Sequence, residues 1–347
     1  MKKLLIRADG NGEIGSGHIM RCSAIAAEAG SDGIEAVFAV SDDASRMLVE
    51  DQGFRSEVVG GDYRSLGVQD ADALSNLAKR LCVDAILVDS YAITETFFKR
   101  LADFDIACAY VDDAYTFAGG FRSVPKCYEL CAVINYSFGF SEDDYKSAYA
   151  DKPTSLCIGP QFAPVRQAFR DIPYQVNSEV KRVLVTSGMT NPLNALERMA
   201  VGCRKALPEA DITVIVGMMA EFDATVLPGT GFRVISNAQN MHELMAESDL
   251  AVSAAGTTLY ELACVGVPVV AAPIVDNQCG NANGVEKLGI GKSLGTSGWN
   301  AYDVERAVTE LSASFEKRQN CSLVSRKLVD GYGAYRMFEA VEAMSKL

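Results

Sequence analysis

Histidine is nearly absent from this chain, which has only two, His18 and His242. Positive charge is also scarce, because 32 lysine and arginine residues face 45 aspartate and glutamate residues and leave a net charge of −13. This balance argues against binding nucleic acid or an anionic membrane surface through a broad basic face. A phosphate ligand would therefore need local donors, such as helix N-termini and glycine-rich loops.

Long apolar runs and cysteine pairs are missing as well. No apolar run reaches the roughly 18 residues that indicate a membrane span, and the start Met1-Lys2-Lys3 leads directly into a predicted strand, so we expect no targeting peptide. The ten cysteines are scattered without a C-x-x-C pair. We expect them to be reduced core residues of a cytoplasmic protein. Cys127 and Cys131 have no histidine near them, so we expect no zinc site there. We also expect no other metal and no cofactor.

At 347 residues the chain is long enough for two α/β domains, each with its own core. We predict a first domain over residues 1–160 and a second over 181–325. Prolines 160, 164 and 173 indicate a linker over 161–180. A polar, helical segment over 326–347 is expected to return to the first domain.

The first domain opens with a strand, a glycine-rich loop and a helix N-terminus. The apolar run 4–6 precedes the loop, and glycines at 12, 15 and 17 let the backbone turn sharply and approach a ligand. His18 follows at the helix start, where free N–H groups favour an oxyanion and disfavour a second positive charge, so its imidazole is suited to be a general base. An ordinary glycine-rich turn is the alternative, because Met20 stands where the dinucleotide fingerprint needs glycine.

Strand and helix patterns alternate along both halves, which predicts parallel sheets with helices on both faces. Ligands bind beyond the carboxyl ends of such strands. Six polar residues of the first half fall there, although helix capping and turns are an alternative role for each. They are Asp9, Asn11, Asp89, Tyr91, Asp112 and Asp113.

The second half repeats the plan of strand, small-residue loop and helix. Ser187 and Gly188 follow one predicted strand, and they form either a phosphate site or an ordinary turn. The stretch 253–268, S-A-A-G-T-T-L-Y-E-L-A-C-V-G-V-P, is the most specific in the chain. Its small residues and the hydroxyls of Thr257 and Thr258 stand at a helix start, and Glu261 lies one turn further with oxygens suited to vicinal hydroxyls such as a ribose diol.

These motifs resemble the GT-B nucleotide-sugar enzymes. The stretch 253–268, with D-N-Q-x-x-N-A at 276–282, is similar to the UDP-binding half of the glycosyltransferase of peptidoglycan lipid II synthesis. The N-terminal R-A-D-G-N-G-E-I-G-S-G-H-I-M-R at 7–21 resembles hydrolases of UDP-2,4-diacetamido-2,4,6-trideoxy-β-L-altropyranose, which serve pseudaminic acid biosynthesis, and the related spore coat polysaccharide proteins. The resemblance implies a GT-B-like α/β fold, in which two Rossmann-like domains face each other across a cleft.

The resemblance also implies roles for single residues. His18 would be the catalytic base, with Tyr91 and Asp9 as further catalytic candidates, and Glu261 would hold the ribose of UDP. The usual G-G-T-D phosphate loop is replaced here by residues 187–191, S-G-M-T-N. The candidate substrate contacts are Asn11, Ile14, Gly15, Ser16, Gly17, Arg21, Asp89, Asp112, Asp113, Ser187, Gly188, Ile235, Ala255, Gly256, Thr257, Thr258, Glu261, Asn277, Gln278 and Asn281.

The implied reaction is hydrolysis of a UDP-linked diacetamido sugar with inversion at the anomeric carbon and without a metal. His18 would remove a proton from the attacking water. Two alternatives stay open from the sequence: a glycosyltransferase in which an acceptor hydroxyl replaces water, and a nucleotide-sugar binding protein without turnover. We expect a monomer.

Overall fold

The structure is a computed structural model that describes residues 1–113, 130–150 and 154–344. These residues divide into two compact units. The described residues of Met1–Tyr136, Phe140–Pro164 and Tyr332–Leu347 form the first unit. Ser137–Gly139 and Val165–Gly331 form the second.

The first unit is built on seven parallel strands. They are β1 (Lys3–Ala8), β2 (Glu35–Val40), β3 (Arg55–Val58), β4 (Ala85–Asp89), β5 (Ala107–Val111), β6 (Leu130–Asn135) and β7 (Ser155–Ile158). Their order in the sheet is β3-β2-β1-β4-β5-β6-β7. The helices between them are α1 (Gly17–Ser31), α2 (Asp43–Asp51), α3 (Val68–Leu81), α4 (Glu95–Leu101) and α5 (Glu142–Tyr149).

The second unit contains a six-stranded parallel sheet. Its strands are β8 (Arg182–Thr186), β9 (Asp211–Val216), β10 (Phe232–Ser236), β11 (Leu250–Ala254), β12 (Val269–Ala272) and β13 (Gly291–Ser293), in the order β10-β9-β8-β11-β12-β13. Its helices are α6 (Ala195–Ala206), α7 (Met241–Ala246), α8 (Thr258–Val265), α9 (Cys279–Lys287), α10 (Ala301–Ser312) and α11 (Phe315–Leu328). The last helix, α12 (Gly333–Met344), belongs to the first unit. Two Rossmann-like parallel sheets, as the alternation predicted, are confirmed.

Continuous apolar runs form the central strands because a parallel sheet is covered on both faces. Leu4, Leu5 and Ile6 of β1 are fully buried, as is the run 85–88 of β4. In the second unit the central β11 is buried along its whole length, whereas the edge strand β10 is half exposed. The position of each strand in its sheet therefore explains how apolar it is.

Both sheets have a point where the strand order reverses. In the first unit it lies between β1 and β4, which run side by side with Ala8 opposite Asp89. In the second it lies between β8 and β11, with Thr186 opposite Ser253. The chain leaves the two strands of each pair in opposite directions, and the crevice beyond their carboxyl ends is the usual ligand site in such sheets.

The unit boundaries differ in detail from those expected. Residues 165–180 pack with the second unit, where the Tyr174 hydroxyl donates to the Ser248 carbonyl at 3.1 Å and the Asn177 amide donates to Asp249 at 2.7 Å. The prolines that suggested a linker stop helices, but they do not prevent an extended segment from making polar contacts. The helix after β8 begins only at Ala195, three residues beyond Pro192, because Leu193 has a left-handed φ of 55°.

The C-terminal segment consists of two helices rather than one. α11 packs in the second unit, and the break at residues 329–332 is followed by α12 in the first. α12 begins at Gly333, where a Cβ would lie 2.1 Å from the Ala163 carbonyl oxygen, so only glycine allows this approach. The Arg336 guanidinium donates to the Gln161 carbonyl at 2.8 Å.

Candidate active site

The glycine-rich loop after β1 folds back on itself before α1 begins. Asn11 and Gly15 exchange two backbone hydrogen bonds of 3.2 and 2.9 Å. The Asn11 side-chain oxygen accepts from the backbone N–H groups of Glu13 and Ile14 at 2.9 and 3.1 Å. Gly15 has a φ of 72°, a left-handed conformation that favours glycine. Asn11 is thus a turn-forming residue. The loop ends at Ser16, which is buried, and α1 begins at Gly17.

The tip of this loop is tied to the loop after β3. The Glu13 carboxylate accepts from the Tyr63 hydroxyl at 2.8 Å and from Arg64 Nη2 at 2.6 and 2.7 Å. All three residues lie at the surface, where such ion pairs contribute little to stability. Ile14 beside them is 38 % exposed. Its side chain is therefore available to a ligand at this edge of the first unit.

His18 and Asp89 come together at the strand reversal of the first sheet. Asp89 Oδ1 lies 2.7 Å from His18 Nδ1, and the two residues are 0 % and 4 % exposed. Burial favours the neutral form of Asp89, but the charge of Arg21 and the His18 contact outweigh it and hold the pKa of Asp89 well below its usual range. The Asp89 carboxylate is therefore ionised and can only accept hydrogen bonds.

The proton between these two atoms must belong to the imidazole. Two acceptors without a proton between them would repel each other at this distance, so Nδ1 carries the hydrogen and donates it to Asp89. His18 Nε2 then carries the lone pair and is the atom that can accept a proton. The pair has the geometry of a general base oriented by a carboxylate.

Tyr91 lies against His18 and reaches a second carboxylate. Its ring meets the imidazole edge-on, with centroids 4.5 Å apart, and its hydroxyl donates to Asp113 Oδ2 at 3.1 Å. The residue is 44 % exposed. Tyr91 thus contacts the candidate base on one side while part of its surface stays open to a ligand.

Two aspartates of the predicted set are held away from this centre. Asp9 pairs with Arg7 at 2.7 Å and accepts from the Ser41 backbone N–H and hydroxyl at 2.7 and 3.1 Å. Asp112 is buried and accepts from the Tyr145 hydroxyl at 3.0 Å. Both carboxylates brace the ends of strands, so the catalytic role expected for Asp9 and the ligand contact expected for Asp112 are not what their contacts favour.

The second unit offers an open helix start at its own strand reversal. Ala255, Gly256 and Thr257 connect β11 to α8, and a Cβ at Gly256 would find only the Gln278 amide nitrogen, at 3.5 Å. The hydroxyls of Thr257 and Thr258 make no hydrogen bond within the part of the chain that the structure describes. Small residues and free donors at a helix N-terminus suit an anionic group.

Gln278 presents its nitrogen to this site because its oxygen is occupied. The Gln278 side-chain oxygen accepts from the Ile274 backbone N–H at 3.0 Å, which orients the amide. Asn277 beside it is exposed.

The other loop at the strand reversal of the second sheet, which follows β8, is more closed. The Ser187 hydroxyl donates to the Thr190 carbonyl at 2.6 Å, and Gly188 has a φ of 83°. Ile235 is half-buried near the carboxyl end of the edge strand β10.

Glu261 is paired with an arginine that the sequence interpretation missed. Arg166 donates to Glu261 Oε1 from Nε at 2.9 Å and from Nη2 at 2.7 Å. Burial raises the pKa of Glu261, and the charge of Arg166 opposes this shift. Both hydrogen bonds use Oε1, so Oε2 remains available to hydroxyl groups of a ligand.

Asn281, a candidate ligand contact, makes structural hydrogen bonds through its side-chain oxygen. Its side-chain oxygen accepts from the Ser137 hydroxyl at 2.7 Å, the Phe138 backbone N–H at 3.1 Å and the Tyr260 hydroxyl at 2.8 Å. The Phe138 ring stacks on Tyr260 with centroids 4.6 Å apart. Asn281 therefore fastens the segment Ser137–Gly139 within the second unit.

We expect Asn281→Ala to lower the free energy of unfolding of the second unit by about 2–3 kcal/mol, because three donors lose their acceptor at roughly 1 kcal/mol each. The only tryptophan, Trp299, is buried in this unit, so its fluorescence during urea unfolding reports on it. Asn277→Ala is the matched control on the same turn and should leave the midpoint unchanged. An unchanged midpoint for Asn281→Ala would contradict the structural role.

The sequence pattern indicated neither Tyr136 of the first site nor Arg7, which pairs with Asp9 outside that site. Tyr136 contacts the guanidinium of Arg21 at 2.7 Å, and it follows β6 at the same sheet edge as the predicted aspartates. The signal was its position after an apolar run that ends in Asn135. Arg7 was missed because an arginine inside a strand carries no pattern of its own.

Metal ligation finds no support among the described residues, where no group of three or more histidine, cysteine or acidic side chains is arranged to hold an ion. Nine cysteines are free thiols, and Cys127 lies outside the described residues. None of the helices within the described ranges is both long and apolar enough to span a membrane.

Comparison with known proteins agrees with the two-unit architecture. Residues 182–327 match the glycosyltransferase family 28 C-terminal domain. The chain is 22 % identical over 282 residues to the uncharacterized protein MJ1062 of Methanocaldococcus jannaschii, covering 77 % of this chain and 55 % of that protein. It is 24 % identical over 218 residues to the spore coat polysaccharide biosynthesis protein SpsG of Bacillus subtilis, covering 59 % of this chain and 62 % of SpsG. The chain thus spans less than two thirds of the length of these curated relatives.

Solved structures of low sequence identity show the fold of the whole chain. MurG of Acinetobacter baumannii superimposes with a TM-score of 0.71 at 16 % identity and full coverage of both chains. The matched family domain, residues 182–327, lies within Val165–Gly331 of the second unit and does not extend into the first unit. The chain therefore has a GT-B-like fold, with a second unit that matches the glycosyltransferase family 28 C-terminal domain.

Proposed function

We propose that this protein hydrolyses a UDP-linked 2,4-diacetamido-2,4,6-trideoxy sugar and releases UDP and the free sugar. The observation that carries the proposal is the contact of His18 Nδ1 with the ionised Asp89, which leaves Nε2 as a proton acceptor at the strand reversal of the first sheet. The glycosyltransferase-like second unit and the similarity to SpsG support a nucleotide-sugar substrate. The N-terminal motif around His18 supports this sugar class.

The reaction follows from the groups that each unit supplies. His18 Nε2 takes a proton from water, and the water oxygen forms a bond to the anomeric carbon. The bond between that carbon and the diphosphate oxygen breaks, and UDP leaves with the electron pair. Donors at the start of α8 stabilise the charge that grows on the leaving diphosphate. Attack opposite the leaving group inverts the anomeric configuration.

Isotope labelling tests the proposal directly. The full chain is incubated with UDP-2,4-diacetamido-2,4,6-trideoxy-β-L-altrose in ¹⁸O-water without an acceptor, and both products are analysed by mass spectrometry. We expect one ¹⁸O in the sugar and none in UDP, and early NMR spectra should contain the inverted anomer. Label in UDP would indicate cleavage at phosphorus and overturn the mechanism. UDP release only after an acceptor alcohol is added would make the protein a glycosyltransferase.

Glu261 provides a pH-dependent test of nucleotide binding. If its Oε2 accepts from ribose hydroxyls, uridine should bind best when Glu261 is ionised. Burial raises the pKa of Glu261 above the ordinary 4.5, so affinity should fall as the pH is lowered from 8 toward 5. Glu261→Gln should bind uridine about tenfold more weakly at pH 8 and lose this dependence, because it removes a charged acceptor.

Uridine is the suitable probe because it carries no phosphate that titrates in this range. Calorimetry or ligand-observed NMR measures binding to the wild type and to the variant. Tyr302→Phe, a change at an exposed residue of α10, is the control and should bind uridine as the wild type does. Equal pH dependence in the Glu261→Gln variant would exclude Glu261 as the ribose acceptor.

A further inference from the structure

Arg21 makes a dense set of polar contacts in the first unit. It lies one turn after His18 on α1, so both side chains leave the same face of the helix, and its side chain is only 4 % exposed. Its Nε donates to Asp89 Oδ2 at 2.5 Å, and its Nη2 donates to Asp89 Oδ1. Nη1 donates to Asp113 Oδ2 at 2.5 Å and to the Tyr136 hydroxyl at 2.7 Å.

These contacts use all the donors that an arginine has. The second hydrogen of Nη2 has Asp113 Oδ1 as an acceptor at 3.4 Å, which completes the five N–H groups of the guanidinium. Nη2 also lies 2.8 Å from His18 Nδ1. His18 Nδ1 carries its own proton and donates it to Asp89, so it does not accept from Arg21. His18 Nδ1 and Arg21 Nη2 are two donors that share Asp89 Oδ1 as their acceptor. No donor is left for a phosphate or a sugar.

We propose that Arg21 and Asp113 are positioning residues that set the pH range in which His18 accepts a proton, and that Arg21 does not bind the substrate. Arg21 holds Asp89 in the orientation that fixes the His18 tautomer. Asp113 opposes the charge of Arg21 from the end of β5. The inference rests on the proposed function for its kinetic consequences, but the protonation of His18 itself does not depend on which substrate is turned over.

The charge balance around His18 gives the sign of each effect. Asp89 and Tyr91 face the imidazole from β4 and the residues that follow it, and Arg21 faces it from α1. Asp113 and Tyr136 face Arg21, while the Cys22 thiol donates to Asp89 and burial raises its pKa so that it stays uncharged. Two carboxylates and one guanidinium therefore leave one net negative charge beside the base.

Removing either partner shifts this balance in opposite directions. Arg21→Gln leaves two uncompensated carboxylates, which stabilise the protonated imidazole, so the acid limb of the kcat/KM profile should move up by about one pH unit. Asp113→Asn removes one carboxylate and should move the same limb down by a smaller amount. General loss of packing would not produce shifts of opposite sign.

Two further variants separate a positioning role from a structural one. Arg21→Lys keeps the charge but not the fork, so its acid limb should stay near that of the wild type while kcat falls. Arg7→Gln removes another buried arginine of the same unit, which pairs with Asp9 rather than with the His18 site. It should lower the melting temperature without moving the limb. Asp113 is 14 % exposed, so Asp113→Asn keeps the test available even if Arg21→Gln does not fold.

NMR of the histidine side chains measures the same effect without a substrate. The chain has two histidines, and His242→Gln assigns the signals. We expect ¹⁵N-labelled His18 in the wild type to carry its proton on Nδ1, and its titration midpoint to move up in Arg21→Gln and down in Asp113→Asn. If these shifts occur but no UDP-sugar is hydrolysed, the positioning role stands and the proposed function fails.

The kinetic results can overturn the positioning role independently. The positioning role would be refuted if the UDP-sugar is hydrolysed but neither Arg21→Gln nor Asp113→Asn shifts the acid limb of the kcat/KM profile or the titration midpoint of His18. A rise in KM with an unchanged kcat in Arg21→Gln or Arg21→Lys would make Arg21 a substrate ligand. We expect instead a loss in kcat with KM within about twofold of the wild type, since a positioning residue makes no contact with the substrate.

Discussion

Replacing His18 with glutamine should reduce kcat by about 10²–10⁴-fold, the usual contribution of a general base. Glutamine fills a similar volume but cannot take a proton from water. The dissociation constant for UDP should stay within about twofold of the wild type, because the nucleotide contacts proposed here lie in the second unit. Steady-state release of UDP and calorimetry with UDP measure the two quantities.

His242→Gln is the matched control for this change, because it removes the other histidine of the chain. His242 lies on α7 of the second unit, with its ring 6.0 Å from that of Phe169. Its loss should leave kcat unchanged. Full activity in the His18→Gln protein would end the general-base mechanism, whereas weakened UDP binding in that variant would point to a nucleotide contact.

Asp89→Asn should cost activity to a similar extent for a different reason. An asparagine can turn its amide N–H toward His18 Nδ1, which then becomes an acceptor and forces the proton onto Nε2. The imidazole would still be present but in the wrong tautomer, a change that costs up to about 10⁴-fold in rate at a comparable carboxylate–histidine pair. Comparing kcat with the His tautomer by ¹⁵N NMR tests the link.

Stability gives a second readout for the same variant. Asp89 is fully buried and paired with Arg21, and breaking a buried pair by removing one partner typically costs about 3–5 kcal/mol. Asp113 remains as a partner for Arg21, so we expect a smaller loss of about 2–3 kcal/mol. Because the folded-state pKa of Asp89 is lowered, its contribution in the wild type is present above the ordinary value of 3.8 and is lost as the pH falls further.

A stable, folded Asp89→Asn protein with the wild-type tautomer and reduced activity would contradict this explanation. Asp9→Asn provides the comparison, since Asp9 is a buried carboxylate of the same unit that also pairs with one arginine. It should lose stability while the tautomer of His18 stays as in the wild type. The two variants therefore separate loss of a buried ion pair from loss of the proton on Nδ1.

The sequence predicted the architecture well because the relevant signals are local. Continuous apolar runs such as residues 85–88 form the central strands, and the glycine-rich loop before α1 and the small residues before α8 stand at strand ends that the alternation of elements already located. His18 was singled out by its neighbours in the chain. These features depend on residues within about 15 positions of each other, so no tertiary information was needed to find them.

Roles of individual polar residues were predicted less well, because a carboxylate after a strand has the same pattern whatever it contacts. Asp9, Asp89, Asp112 and Asp113 all lie at strand ends, yet only Asp89 contacts His18, and Asp113 joins it through Arg21. Asn281 sits in a motif that resembles a nucleotide site, but it fastens a segment that lies 144 residues earlier in the chain. Partners this distant in sequence leave no local signal.

By itself the sequence determined the two parallel α/β units, the glycine-rich loop with a histidine at a helix start, and the open start of α8. Only the tertiary structure decided which carboxylate contacts that histidine and which nitrogen of the imidazole is left to accept a proton. It also decided that Arg21 donates its hydrogen bonds to Asp89, Asp113 and Tyr136. The physical reason is that secondary structure follows from the periodicity of neighbouring residues, whereas protonation and hydrogen bonding follow from groups that sheet pairing brings together across 68 to 115 positions of the chain.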